Sequence, residues 1–144
     1  MKVRFCILTI LTLTITTLFG QKIEKCDRAI LLSTSNKIGQ LTHKEITNFL
    51  LTFGKECKDN VEYSEWSNEI LFSLLDKQTE LTLKTIKKEE KKIEKDEILN
   101  NLSEPVHDKV DIKELIAKVD KVKLNGRHKK EIIERLKTAD GKQK

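Results

Sequence analysis

The chain has 144 residues, 35% of them charged and only 5% aromatic, with a net charge of +5. That length suits one domain, and the scarcity of rings leaves Ile, Leu and Val to build its core. One Pro and five Gly are too few for the tight turns of an all-β sandwich, so the composition excludes that class and the apolar spacing points to an all-α chain.

Lys2 and Arg4 precede a charge-free run from Phe5 to Phe19, and Gly20 is followed by polar Gln21. This is the layout of a signal peptide over residues 1–20. The run is shorter than the roughly 18 residues a membrane span needs, and five Thr dilute it. No stable span is therefore expected after cleavage, and the expected location is secreted or periplasmic. Cys26 follows Ile23-Glu24-Lys25, which lacks the small residues of a lipobox, so no lipid anchor is expected. The Phe19-Gly20-Gln21 ending resembles export signals of Bacteroidota, and the whole chain resembles the small exported helical proteins of that group.

Cleavage removes Cys6 and leaves Cys26 and Cys57. An even pair in an exported chain predicts a disulfide. It would close a loop of about 32 residues, worth roughly 3.5 to 4 kcal/mol. The 30 intervening residues do not supply the Cys-x-x-Cys spacing of a redox pair.

In chain order, Ile23 to Leu32 predicts a first helix with Ile23, Cys26 and Ile30 inward, stopped by Ser33 to Asn36. Thr42 with Glu45 forms a capping box, and Leu41 with Ile46 the matching hydrophobic staple. Ile46, Phe49, Leu50 and Phe53 then share one face, and Gly54 is placed to end the helix. Asp59 to Leu75 is the central helix. Asp59 and Glu62 suggest its cap, and Tyr63, Trp66, Ile70 and Leu74 its inner face.

A new start at Thr79 leads into a Lys/Glu run from Lys84 to Glu97. Like charges recur four residues apart, as at Lys84/Lys88 and Glu90/Glu94, so this helix is thinly supported, and the sequence leaves open one helix over Lys84 to Glu97 or two with a break near Lys91 to Lys95. Ile98, Leu99 and Leu102 resume a core face. Pro105 marks a break. Asp111 and Glu114, with Val110 and Leu115, repeat the cap and staple around a helix carrying Ile112, Ile116, Val119 and Val122. After Asn125-Gly126 a last helix, Arg127 to Leu136, places Ile132, Ile133 and Leu136 inward. The expected organisation is a signal peptide at 1–20, a helical domain at 21–137 and a frayed polar tail at 138–144. Six or seven short helices, stacked as helical hairpins and tied by one disulfide, resemble a fragment of a HEAT or armadillo solenoid.

No motif names a reaction, so no catalytic residue, metal or cofactor is assigned. His43, His107 and His128 each stand without a second ligand at helical spacing. The His107-Asp108 pair is the one arrangement that would suit an enzyme. Phe49, Phe53, Trp66 and Phe72 are the residues that would line an interhelical pocket in a small-molecule carrier. Charge is concentrated at the end of the chain: Lys118 to Lys144 carries ten basic and four acidic residues, while Gln21 to Ala117 is net −3. Arg127, Lys129, Lys130, Arg135 and Lys137 are the candidate binding surface there, with the strip Lys87 to Lys95 as a second. Nucleic acid is disfavoured because that end lacks aromatics for base stacking. The expected function is stoichiometric binding of a protein or an anionic envelope component, of the kind an immunity or inhibitor protein performs.

Overall fold

The computed structural model describes residues 22–107, 109–124 and 126–142, so the expected signal peptide lies outside the described residues. Seven helices follow one another: α1 (Arg28–Ser35), α2 (His43–Leu51), α3 (Val61–Lys77), α4 (Thr79–Glu89), α5 (Lys95–Leu102), α6 (Ile112–Lys121) and α7 (Arg127–Lys142). A 3-10 turn, Lys55–Cys57, precedes α3. The described residues contain no strand. None of their helices is long and apolar enough to cross a membrane.

The helices alternate between two layers. α1, α3, α5 and α7 pack in sequence in one layer, and α2, α4 and α6 in the other. α1 meets α2, α3 meets α4, and α6 meets α7 across the interface. These are the stacked hairpins the sequence predicts. In a solenoid each repeat touches only its neighbours. Here α3 also reaches α6, so one long helix contacts α1, α4, α5 and α6 around a single bundle core. Its buried side chains are Tyr63, Ile70, Leu71, Phe72, Leu74 and Leu75, with Ser67 and Asn68.

Local signals explain most boundaries. Thr42 accepts from the Glu45 amide while Glu45 accepts from that of Thr42, a complete capping box. Leu41 and Ile46 are buried beside it. Asp111 accepts from the Glu114 amide at the start of α6. The Lys/Glu run does break: α4 ends at Glu89, Ile93 turns into the core, and α5 begins at Lys95.

Four expectations need correction. α1 runs Arg28–Ser35, because Asp27 accepts from the amides of Ala29 and Ile30 and so fixes its start; Leu31 and Thr34 face inward. Asn60 caps α3, not Asp59, by accepting from the Tyr63 amide. Trp66 is half-buried at the edge of the α3 face rather than at its centre. α7 continues to Lys142, because Ala139 extends the stripe of Ile132 and Leu136 by one more turn and is fully buried.

Two clasps tie distant segments. Cys26 and Cys57 form the expected disulfide, with Cα atoms 5.6 Å apart. It joins the segment before α1 to the 3-10 turn, and the Cys26 amide also donates to Thr52 O, at the end of α2, at 2.8 Å. At the α3–α4 corner, Gln78 accepts from the amides of Gly39 and Leu41 and donates to Leu41 O. Gly39 has φ +93°, a left-handed conformation that glycine adopts without a side-chain clash.

Candidate functional site

The five basic residues of α7 do not form one free surface. Lys129 donates to Asp120 O at 2.9 Å and Val122 O at 3.3 Å, covering carbonyls at the end of α6. Arg127 pairs with Glu131, and Lys137 with Glu134 at 2.9 Å. Lys95 also bonds Glu131, and Lys95 and Arg127 hold that carboxyl below the usual carboxylate range. Among the described residues, only Lys130 and Arg135 of the five make no ion pair or side-chain hydrogen bond. They flank a shallow depression with Lys95, Asp96 and Leu99.

The histidines are spread over the surface of the bundle. His43 joins α2 to α4: Nδ1 lies 2.8 Å from Thr85 Oγ1 and Nε2 lies 3.1 Å from Glu89 Oε1. Lys92 bonds Glu89 and, with His43, holds its carboxyl below the usual range. Thr85 is fully buried and donates to Leu81 O, so this row links helices and offers no nucleophile to solvent. His128 Nε2 lies 2.9 Å from Glu90. His107 Nε2 lies 3.5 Å from Glu69, which Lys109 also binds; Lys109 keeps the Glu69 carboxyl low. Asp108 lies outside the described residues. Among the described residues, no three His, Cys, Asp or Glu gather as a metal site would require.

The four aromatics do not surround a common pocket. Phe49, Phe53 and Phe72 are buried, and Phe49 meets Phe53 edge-on with centroids 5.2 Å apart. The void beside Phe53 and the one beside Phe72 are each about 30 Å³, the space of a single water.

An open groove of about 680 Å³ lies between the first half of α3, the end of α5 and the end of α7. Asn68 builds its floor. Its side-chain amide donates to Asn101 O and Glu104 O at 2.8 and 3.1 Å and accepts from the Val106 amide at 3.2 Å. This holds the chain after α5 against α3 and places Val106 on the rim. Val61, the first residue of α3, lines the same groove. The two are 44% and 64% exposed, and Leu32 is the one other large apolar side chain so exposed among the described residues. Arg135, Thr138 and Lys142 line the α7 side, and Lys142 pairs with Glu104 at 3.1 Å.

One wall residue is unusual. Glu97 leaves 8% of its side chain exposed, and its one ion pair among the described residues is with Lys58 Nζ at 3.7 Å, beyond hydrogen-bond length. No hydrogen bond reaches its carboxylate among the described residues. Glu65, also lining the groove, makes no ion pair among the described residues.

Sequence reasoning named Arg135 of this groove and missed the rest. A usable signal existed for Glu97: it directly precedes the apolar pair Ile98 and Leu99 and opens the run that ends in buried Leu102. Val61 and Val106 carried a weaker signal, as apolar residues outside every helical stripe.

Fold and site together define a disulfide-tied, two-layer helical protein with an open, mostly polar groove. Comparison of the chain with family models, with characterised proteins and with solved structures finds no match.

Proposed function

We propose that this is an exported protein that acts by stoichiometric binding of another polypeptide, which lies in the groove between α3, α5 and α7. The observation that carries the reading is the presence of two exposed valines, Val61 and Val106, in one groove otherwise lined by hydrogen-bonding side chains. Isolated exposed apolar residues need no explanation. Two lining one groove give an extended chain a grip, while the polar lining supplies partners for its backbone. Arg135 adds an unpaired guanidinium to the same groove, and it is the point where this surface meets the basic end of α7. Export is supported by the Cys26–Cys57 bond, since such bonds persist in oxidising compartments.

The test is affinity capture from the native envelope and extracellular fractions, with the wild-type chain and a Val61→Asp/Arg135→Glu variant side by side. The expected result is a partner retained by the wild type, released as salt rises, and lost by the folded variant. A partner held equally by both, or catalytic turnover lost on His107→Ala in a folded protein, would overturn the proposal. Lys129 is a poor choice for charge reversal because it covers the end of α6, whereas Lys130 and Arg135 can be reversed without disturbing a described contact.

A further inference from the structure

We infer that the row Thr85–His43–Glu89 is a proton-operated clasp between α2 and α4, which tightens when the His43 ring takes up a proton in mild acid. Thr85 and Glu89 lie four residues apart on one face of α4, and the His43 ring reaches both from the first turn of α2. Thr85 Oγ1 lies 2.8 Å from Nδ1 of the ring and 2.8 Å from Leu81 O, with one proton to give. Glu89 Oε1 lies 3.1 Å from Nε2. An ionised carboxylate can only accept. Lys92, with His43, holds the Glu89 carboxyl below the usual range, so it stays ionised in mild acid.

Counting protons along the row gives two states. In the neutral ring the proton belongs on Nε2, which faces the carboxylate, and Nδ1 accepts from the Thr85 hydroxyl. In the charged ring both nitrogens donate. The Thr85 hydroxyl then turns to Leu81 O and accepts from Nδ1, and the contact with Glu89 becomes a charge-assisted hydrogen bond. Rotation of one hydroxyl accommodates the change, and every polar atom of the row keeps a partner in both states. His128 is built differently. Its Nε2 also meets a carboxylate, Glu90 at 2.9 Å, but its Nδ1 is buried with no partner among the described residues, so a proton there would find no acceptor.

The surrounding charges set the size of the effect. Glu89 ends α4, where free carbonyls favour a cation, whereas His43 opens α2, whose free amides disfavour one. Lys92 sits 2.6 Å from Glu89 Oε2 and so shares the carboxylate with the ring. The charged chain neighbours are Lys44 and Glu45 on α2, the latter bound to Lys37, and Lys88 on α4. α1 also packs on α2, and its one charged residue, Arg28, pairs with Glu62. A third of the His43 side chain is exposed, so the gain is that of a partly screened pair. A proton held more tightly in the folded chain stabilises it below the ordinary imidazole range, near pH 6.5, and ceases to do so as pH rises through that range.

The test is urea unfolding of the full chain at about pH 8 and about pH 5.5, for the wild type, His43→Gln and Glu89→Gln. The advantage of the wild type over His43→Gln in the folding equilibrium should grow about threefold on acidification. His107 and His128 titrate in both chains and cancel from the comparison. In the Glu89→Gln background, replacing His43 as well should give no such growth, since the carboxylate that rewards the proton is gone. A wild-type advantage equal at both pH values would make His43 a fixed structural contact and overturn the inference, as would growth that survives Glu89→Gln. Nitrogen NMR of the wild-type imidazoles reads the same device without a variant. In mild base the His43 proton should sit on Nε2 with Nδ1 accepting, in mild acid both nitrogens should carry one, and amide exchange in α2 should slow with the change. A neutral ring protonated on Nδ1, or exchange in α2 indifferent to the charge of the ring, would overturn the clasp.

Discussion

Reducing the Cys26–Cys57 bond tests the energetics of the fold with both side chains left in place. The bonded residues are 31 apart in sequence, so the bond closes a loop of about 32 residues in the unfolded chain. Chain entropy then assigns it about 3.5 to 4 kcal/mol. On the native side little should change. Lys25 still donates to Phe53 O, the Cys26 amide to Thr52 O, and Arg28 still pairs with Glu62 at the start of α3. The loss should therefore come from a looser unfolded state, against a net stability that is typically about 5 to 15 kcal/mol. Urea unfolding of oxidised and reduced protein measures it. The expected result is a lower midpoint, the stated loss of free energy, a steeper denaturant dependence in the reduced chain, and unchanged native helix content. A loss below about 1 kcal/mol, or melting of α1 before denaturant is added, would refute the reasoning that the bond acts on the unfolded chain.

Burial pushes the hydroxyl of Tyr63 up to about 12, against hydrogen bonds from Thr52 and Ser67 that lower it. A group raised on folding stabilises fully below its unfolded value and stops doing so as pH rises through the folded one, so its contribution should vanish between about 10 and 12. Tyr63 is the one tyrosine, so ultraviolet absorbance reads its titration directly; a folded-state midpoint near 10 would contradict its burial. Glu45 runs the other way: its bond from Lys37, with those from Thr42, lowers it from 4.5 to about 2. Its contribution should be present above about 4.5 and lost as pH falls through about 2, and Glu45→Gln should flatten the acid limb of the stability profile. Asn68→Ala removes three hydrogen bonds and strands two carbonyls and an amide. It should cost about 2 to 3 kcal/mol, with faster amide exchange confined at first to residues 101–106.

Helix number, the Thr42 capping box, the Asp111 cap and the disulfide were legible because each rests on local chemistry. Thr42 with Glu45 and Asp111 with Glu114 act within one turn, and the cysteine pair was read from the expected compartment and the count. The start of α1 was missed because Ile23, Cys26 and Ile30 mimic a helical stripe, while Asp27 in their midst is the true cap. The end of α7 was missed because small Ala139 was weighed less than the polar residues around it. The groove was hardly legible at all. Its floor depends on Asn68 bonding to residues 33 to 38 positions away, and no periodicity encodes such a contact. The basic end looked uniform because a lysine covering α6 and a free lysine have the same composition.

The odd-numbered layer sets one short helix between two long ones: α5 has 8 residues, α3 has 17 and α7 has 16. At 1.5 Å per residue, α5 stops about 12 Å short of matching its neighbours. The groove is the notch left by that missing length, so its size is a matter of spacing in the chain more than of the side chains that line it. Adding one helical turn after Leu102 would fill the notch from the end of α5 while leaving the core of α3 untouched. Removing residues from the stretch between Leu102 and Ile112 would draw the Val106 rim inward. Insertions and deletions at this single joint would thus reshape what the protein holds faster than substitutions could, and without asking the bundle to repack.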